Sequence, residues 1–258
     1  MEITSVRNPL LQRIRRAVKD GRATEEGLIV AEGPHLLQEA QRGTWRIAKI
    51  VTTPAGRSKH TTLLHRLDAE LVEVGARAFE SITGTQHSQQ VLALLEPRTW
   101  NWTELKGRRT LIVALDGLQD PGNAGTIIRS AEAFGATGIV LLRGAAHVSN
   151  GKLLRASSGS VFRIPLLESV SIPDFLENVR ASGIALYALD AHANTQLTAV
   201  DLTRPLALVA GNEGSGVSPE LLSAAQSVSV PTGRVESLNA AVACSVALFA
   251  AQQQRSAV

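Results

Sequence analysis

Three loops hold the residues whose types and spacing could do chemistry. In the first, Asp120-Pro121-Gly122-Asn123-Ala124-Gly125 follows an apolar run and is followed by Arg129. Asn123 can cap the helix that starts there through its side-chain oxygen, which leaves backbone amides available to an anion. Arg129, a turn and a half later, offers a guanidinium fork to phosphate or carboxylate. The same spacing also suits a glycine-rich turn with a capped helix and a solvated arginine. Gly-Asn-Ala-Gly is a weak match to any dinucleotide fingerprint.

In the second loop, Leu208-Val209-Ala210 runs into Gly211-Asn212-Glu213-Gly214-Ser215-Gly216. Three glycines flanking an acid let backbone approach a flat, polar ligand closely. The loop lacks the Lys-Ser/Thr ending of a P-loop, so an adenosine held through backbone groups fits better than ATP. The third loop is Val230-Pro231-Thr232-Gly233-Arg234-Val235-Glu236-Ser237-Leu238-Asn239, and an alanine-rich run follows it. Ser237 is a good helix cap, and Asn239 offers both a donor and an acceptor.

Such loops need strands and helices to hold them at one edge. From residue 110 onward strand-like and helix-like runs alternate: strands at 111–115, 138–142, 161–166, 184–189, 206–210 and 228–230, and helices at 124–134, 151–156, 173–182, 219–225 and 237–252. This order predicts a mainly parallel sheet covered by helices on both faces, with a ligand beyond the carboxyl ends of its strands. Residues 1–95 read as a small α/β domain, with helices at 7–19 and 34–41 and strands at 28–31, 47–52, 71–74 and 91–95. Residues 96–109 show no periodicity and read as a linker, which leaves 110–258 as the second domain.

Composition narrows the classes further. Hydrophobic residues at 44% and charged residues at 19% are those of a folded chain rather than a disordered one. The apolar runs are far shorter than the roughly 20 residues that span a bilayer, and the N-terminus lacks the apolar core of a secretory signal, so a cytoplasmic location is expected. One cysteine, Cys244, excludes an intrachain disulfide, and its apolar setting suits a small buried residue. The six histidines show no ligand spacing, so no metal site is expected. The net charge of +3 is mild, but Arg7, Arg13, Arg15, Arg16, Lys19 and Arg22 crowd one stretch, which suits either a polyanion or a solvated helix face.

Taken in order, the three loops resemble the three motifs of the SpoU/TrmH family within the SPOUT superfamily. Leu154-Arg155-Ala156-Ser157-Ser158-Gly159-Ser160 is similar to a further family segment. The third loop departs from the family pattern in being one residue shorter after Pro231, with Thr232 where methionine is usual. More loosely, Leu28-Ile29-Val30-Ala31-Glu32-Gly33-Pro34 and the residues to Ala40 resemble a ribosomal-protein-like substrate-binding domain.

The resemblance implies an α/β fold with a trefoil knot in its parallel sheet, a homodimer with the active site at the subunit interface, and S-adenosylmethionine held around Leu189, Gly211, Val230 and Leu238. It implies methylation of a ribose 2′-hydroxyl in structured RNA, ribosomal RNA before transfer RNA. Arg129 would sit beside the substrate phosphate, either taking the hydroxyl proton or positioning phosphate and stabilising the alkoxide. Asn123, Glu213, Ser237 and Asn239 would orient Arg129 and the target nucleotide. A non-catalytic RNA-binding relative would be expected to lose Arg129 or Ser237-Leu238-Asn239, and both are intact. A dinucleotide-dependent oxidoreductase would need Gly-x-Gly-x-x-Gly after its first strand, which is absent.

Overall fold

The computed structural model describes residues 2–85 and 87–256. Its contacts divide the chain into two compact units, Met1–Arg98 with His147–Arg163, and Thr99–Ala146 with Ile164–Val258. This grouping differs from a division by sequence alone in one segment, 147–163, which packs with the first unit.

The first unit is built on four strands. In chain order its elements are α1 (Pro9–Asp20), β1 (Ile29–Glu32), α2 (Pro34–Arg42), β2 (Arg46–Thr52), α3 (Pro54–Lys59), α4 (Thr61–Leu64), β3 (Glu70–Glu73), α5 (Ala76–Glu80) and β4 (Val91–Glu96). The sheet order is β1-β4-β2-β3, antiparallel except where β2 meets β3. Helix α1 begins where the Asn8 side chain accepts from Leu10 N and Pro9 presets the first turn; it ends on Gly21, whose φ of 62° is left-handed. Its buried residues Leu11, Ile14 and Ala17 recur every third position and pack on Val30, Val51, Leu92 and Leu94.

Segment 147–163 completes this unit. It carries the helix α7 (Gly151–Ser157) and a 3-10 turn at Ser160–Phe162. Phe162 meets Trp45 edge-on with centroids 5.0 Å apart, Thr44 N donates to Phe162 O at 2.7 Å, and Arg163 Nη1 pairs with Glu39 Oε2 at 2.5 Å. The strand expected over 161–166 is therefore displaced to Leu166–Val170. Ser158 and Gly159, at φ 48° and 86°, turn the chain just before it, and Pro165 brings no amide donor to a ladder.

The second unit holds the remaining elements: β5 (Leu111–Leu115), α6 (Pro121–Ala133), β6 (Gly138–Leu142), β7 (Leu166–Val170), α8 (Ile172–Ala181), β8 (Ala185–Leu189), β9 (Leu206–Ala210), α9 (Pro219–Ala224), β10 (Gln226–Val228) and α10 (Ala240–Ser256). Its six strands run in the order β10-β8-β9-β5-β6-β7, all parallel. Strands β5, β6 and β9 are buried along their whole length, as a parallel sheet covered on both faces requires. Phe175, Leu176 and Val179 of α8 with Leu221 of α9 pack on Ile112, Ala114, Val140 and Val209. Helices α6 and α10 pack against each other and touch the sheet at β6 and β9.

Part of the expected linker is ordered. Asn101 and Glu104 close a capping box around a 3-10 turn at Trp102–Leu105, and Trp102 lies edge-on to Phe175 at 6.1 Å. A turn of four residues is too short to show periodicity. Among the described residues, no helix is long and apolar enough to cross a membrane.

Candidate functional site

Because the strands of the second unit are parallel, the loops after β5, β8, β9 and β10 leave at one edge. The loop after β9 closes on itself: Asn212 N donates to Gly216 O and Gly216 N to Asn212 O, both at 2.9 Å. A Cβ on Gly211 would stand 2.2 Å from Gly216 C and 2.3 Å from Val217 N, so this closure requires glycine. The Asn212 side chain bonds both within the loop and across to the loop after β5. Its Nδ2 donates to Gly117 O at 2.9 Å, and its Oδ1 accepts from Gly214 N at 2.8 Å. Buried Asp116, just past β5, accepts from Ser218 N at 2.7 Å. These contacts lock the loops after β5 and β9 together; Asp116 and Asn212 were not singled out in the sequence, where an acid at a strand end was the only signal.

Two expected caps move by a few residues. Helix α6 starts at Pro121 with Asp120 as its cap, whose side chain accepts from Asn123 N at 2.8 Å. Proline at the first helical position sets that start. Asn123 is thereby one turn inside the helix and its side chain is free to bridge: Nδ2 donates to Glu213 Oε1 at 2.9 Å, and Oδ1 accepts from Asn239 Nδ2 at 3.2 Å. Helix α10 starts at Ala240, and the cap is Asn239, which accepts from Ala241 N at 2.9 Å and Val242 N at 3.3 Å. Ser237 lies in the loop before it, exposed and without a side-chain partner among the described residues. One amide thus joins all three loops.

Below this bridge is a cavity of about 700 Å³. Its walls include Leu189, Gly211, Val230 and Leu238, the residues expected to hold a cofactor, and also Glu213, Ser237 and Asn239. Asp190, His192 and Glu236 line it too. Thr232, the departure from the family pattern, is in the wall, with its hydroxyl donating to Val235 O at 2.9 Å. The lining contains three carboxylates and no lysine or arginine. That charge balance suits a cationic ligand with a flat apolar portion and disfavours a polyphosphate.

Arg129 is not part of this wall. It is exposed, and it has no side-chain partner among the described residues. Six residues beyond Asn123, it lies roughly 240° round the helix from it. It shares its face of α6 with Thr126, three residues earlier. Thr126 lines a second, apolar groove with Val242, Val246 and Phe249 of α10. Structure therefore brings Asn123, Glu213 and Asn239 together and sets Arg129 apart.

Comparison with known proteins agrees with this architecture. Residues 110–249 match the SpoU rRNA Methylase family, and residues 8–93 match the MRM3-like substrate binding domain. The chain is 33% identical to an uncharacterised tRNA/rRNA methyltransferase of Synechocystis over 98% of its own length and 94% of the relative's. It is 29% identical to the 23S rRNA guanosine 2′-O-methyltransferase RlmP of Bacillus subtilis, over 96% of this chain and 98% of that one. The crystal structure of the SpoU methyltransferase AviRb of Streptomyces viridochromogenes, in complex with the cofactor AdoMet, superposes with a TM-score of 0.85 at 28% identity, covering 96% of this chain and 98% of that one. With a family model spanning more than half of its length and a full-length relative at 33% identity, this chain belongs to the SpoU methylase family.

Proposed function

We propose that this protein transfers a methyl group from S-adenosylmethionine to a ribose 2′-hydroxyl of ribosomal RNA, working as a cytoplasmic homodimer. The observation that carries the reading is the cavity itself: three loops locked edge to edge, with carboxylates in the wall and no lysine or arginine among the described residues. S-adenosylmethionine, when bound, supplies a methyl group already made electrophilic by its sulfonium.

The remaining task of the chain is alignment. Leu189, Gly211, Val230 and Leu238 offer apolar wall and approachable backbone to an adenosine. Asn123, held between Glu213 and Asn239, fixes the mouth of the cavity, and Ser237 presents a free hydroxyl there. Arg129 anchors the phosphate beside the target ribose and stabilises the alkoxide that forms as the hydroxyl loses its proton. Guanidinium groups hold their own proton in proteins, which favours this anchoring role over that of a base.

The position of Arg129 supports the dimer. Val242, Val246 and Phe249 are 50%, 39% and 49% exposed, a concentration of apolar surface on one helix face. Ala243 lines the cavity and Val242 the groove, so the two are neighbours on α10. A second copy seated on this face would cover the apolar groove and bring Arg129 to a site it does not line in its own chain. The knotted backbone belongs to the same proposal; its support is the likeness of this chain to solved SpoU methyltransferases.

The test is transfer of labelled methyl groups from S-adenosylmethionine to ribosomal RNA that lacks the modification, followed by alkaline hydrolysis. Label in an alkali-stable dinucleotide is the expected result. Label on a base would replace the chemistry proposed here.

A further inference from the structure

We propose that the pocket between α2 and the α3–α4 turn of the first unit binds a backbone phosphate of the substrate RNA. The proposal rests on the RNA-methylating function proposed above and names where the first unit grips its substrate.

The pocket has a volume of about 330 Å³ and is lined by Gln38, Gln41, Arg42, Lys59, His60 and Arg66 among others, with no aspartate or glutamate. Its walls are pinned through neutral oxygens. Gln41 Nε2 donates to Arg66 O at 2.8 Å, which ties α2 to the residues after α4. Lys59 Nζ donates to Gln89 Oε1 at 3.1 Å, and His60 Nε2 to Gln89 O at 3.0 Å, since a carbonyl can only accept. Arg42 has a carboxylate, Glu39, at 3.1 Å, but the other oxygen of Glu39 holds Arg163 at 2.5 Å, so one negative charge serves two guanidiniums. Arg66 is exposed and has no side-chain partner among the described residues.

Helix α1, the most basic stretch of the sequence, is the opposite case. Arg13 pairs with Glu26 at 2.8 Å and Arg16 with Glu25 at 2.5 Å. Arg15 donates to Ser81 O at 2.9 Å, and Arg22 contacts His147. Two of the four cations of α1, Arg13 and Arg16, are each paired with a carboxylate of their own, whereas in the pocket only Arg42 faces one, and it shares that carboxylate with Arg163. Unneutralised positive charge in a concave site focuses the field on an incoming anion. Two guanidiniums and an ammonium with amide donors between them match the oxygens of a phosphodiester.

The test measures RNA affinity as a function of salt for wild type, for R42Q/K59Q/R66Q, and for the α1 control R13Q/R16Q. S-adenosylmethionine binding and the methylation rate at saturating RNA are measured on each. The pocket variant should bind RNA roughly tenfold more weakly at low salt. Its plot of log affinity against log salt should flatten by about 0.7–0.9, the loss of one phosphate contact. Cofactor binding and the saturated rate should match wild type, and the α1 control should show a smaller loss. If the pocket variant keeps the affinity and slope of wild type, RNA does not use this pocket. If it binds inorganic phosphate as well as wild type does while losing RNA affinity, the pocket is not the phosphate contact. Wild type that methylates no RNA sinks the underlying function as well, and that outcome is distinct from the first two.

Discussion

The two ends of the six-stranded sheet are built to opposite rules. At the carboxyl end the loops are glycine-rich and tied by side-chain amides, and they stand open around a cavity. At the other end a single side chain closes the structure. Arg255, near the end of α10 and 8% exposed, donates to the carbonyls of Leu202, Arg109, Thr110 and Arg204 at 2.7 to 3.1 Å. Arg109 returns a bond to Arg255 O at 2.6 Å. Burial, and then the nearby Arg109, lower the pKa of this guanidinium below its usual value. Charge is thus buried where the fold must be fastened, and polar groups remain exposed where a substrate must enter. Stability and function can therefore be perturbed separately.

The largest expected effect on that comparison comes from Arg255→Met. It would leave four carbonyls without their charged donor and cost roughly 3–4 kcal/mol, with a fall in Tm of about 10 °C by calorimetry. The methylation rate of the protein that remains folded should stay at the wild-type value. Next comes Asn123→Ala, which removes the amide bridging Glu213 and Asn239. Single-turnover methylation should slow by about 10- to 100-fold, with Tm nearly unchanged because both partners are exposed to water. A loss of stability comparable to that of Arg255→Met would erase the distinction between the ends.

The smallest effect concerns Cys244, in α10 between the two ends. Complete burial pushes its thiol up from 9.0 to about 12. The unfolded chain then gives up this proton before the folded one does, so stability declines as pH rises above about 9 and stops declining near 12. The loss is about 1.4 kcal/mol at pH 10. Comparing urea unfolding of wild type and Cys244→Ala at pH 7 and pH 10 measures it, and the alanine variant should lack this part of the decline.

Much of this arrangement is legible in the chain before folding. Parallel strands deliver their following loops to one edge, so motifs far apart in sequence converge. That is why Leu189, Gly211, Val230 and Leu238 share a cavity with Glu213, Ser237 and Asn239. Residue spacing was less reliable on helices. Arg129 looks close to Asn123 in sequence, yet helical rotation sets it on another face of α6, outside the cavity wall. Asp120 takes the cap expected of Asn123 because Pro121 fixes the first turn, a signal that was present in the sequence. Segment 147–163 and the clasp of Arg255 had no such signal. The first depends on which unit offers Trp45 and Glu39 to it, and the second on carbonyls from two separate stretches of chain, 109–110 and 202–204.

The central claim is a division of labour, with the cavity holding the cofactor and Arg129 serving the RNA from outside it. Its most direct test is Arg129→Ala, measured for S-adenosylmethionine affinity by calorimetry and for methyl transfer to ribosomal RNA in a single turnover. The account predicts wild-type cofactor affinity with transfer slowed by about 10²- to 10³-fold. Loss of cofactor binding, or transfer at the wild-type rate, would contradict it.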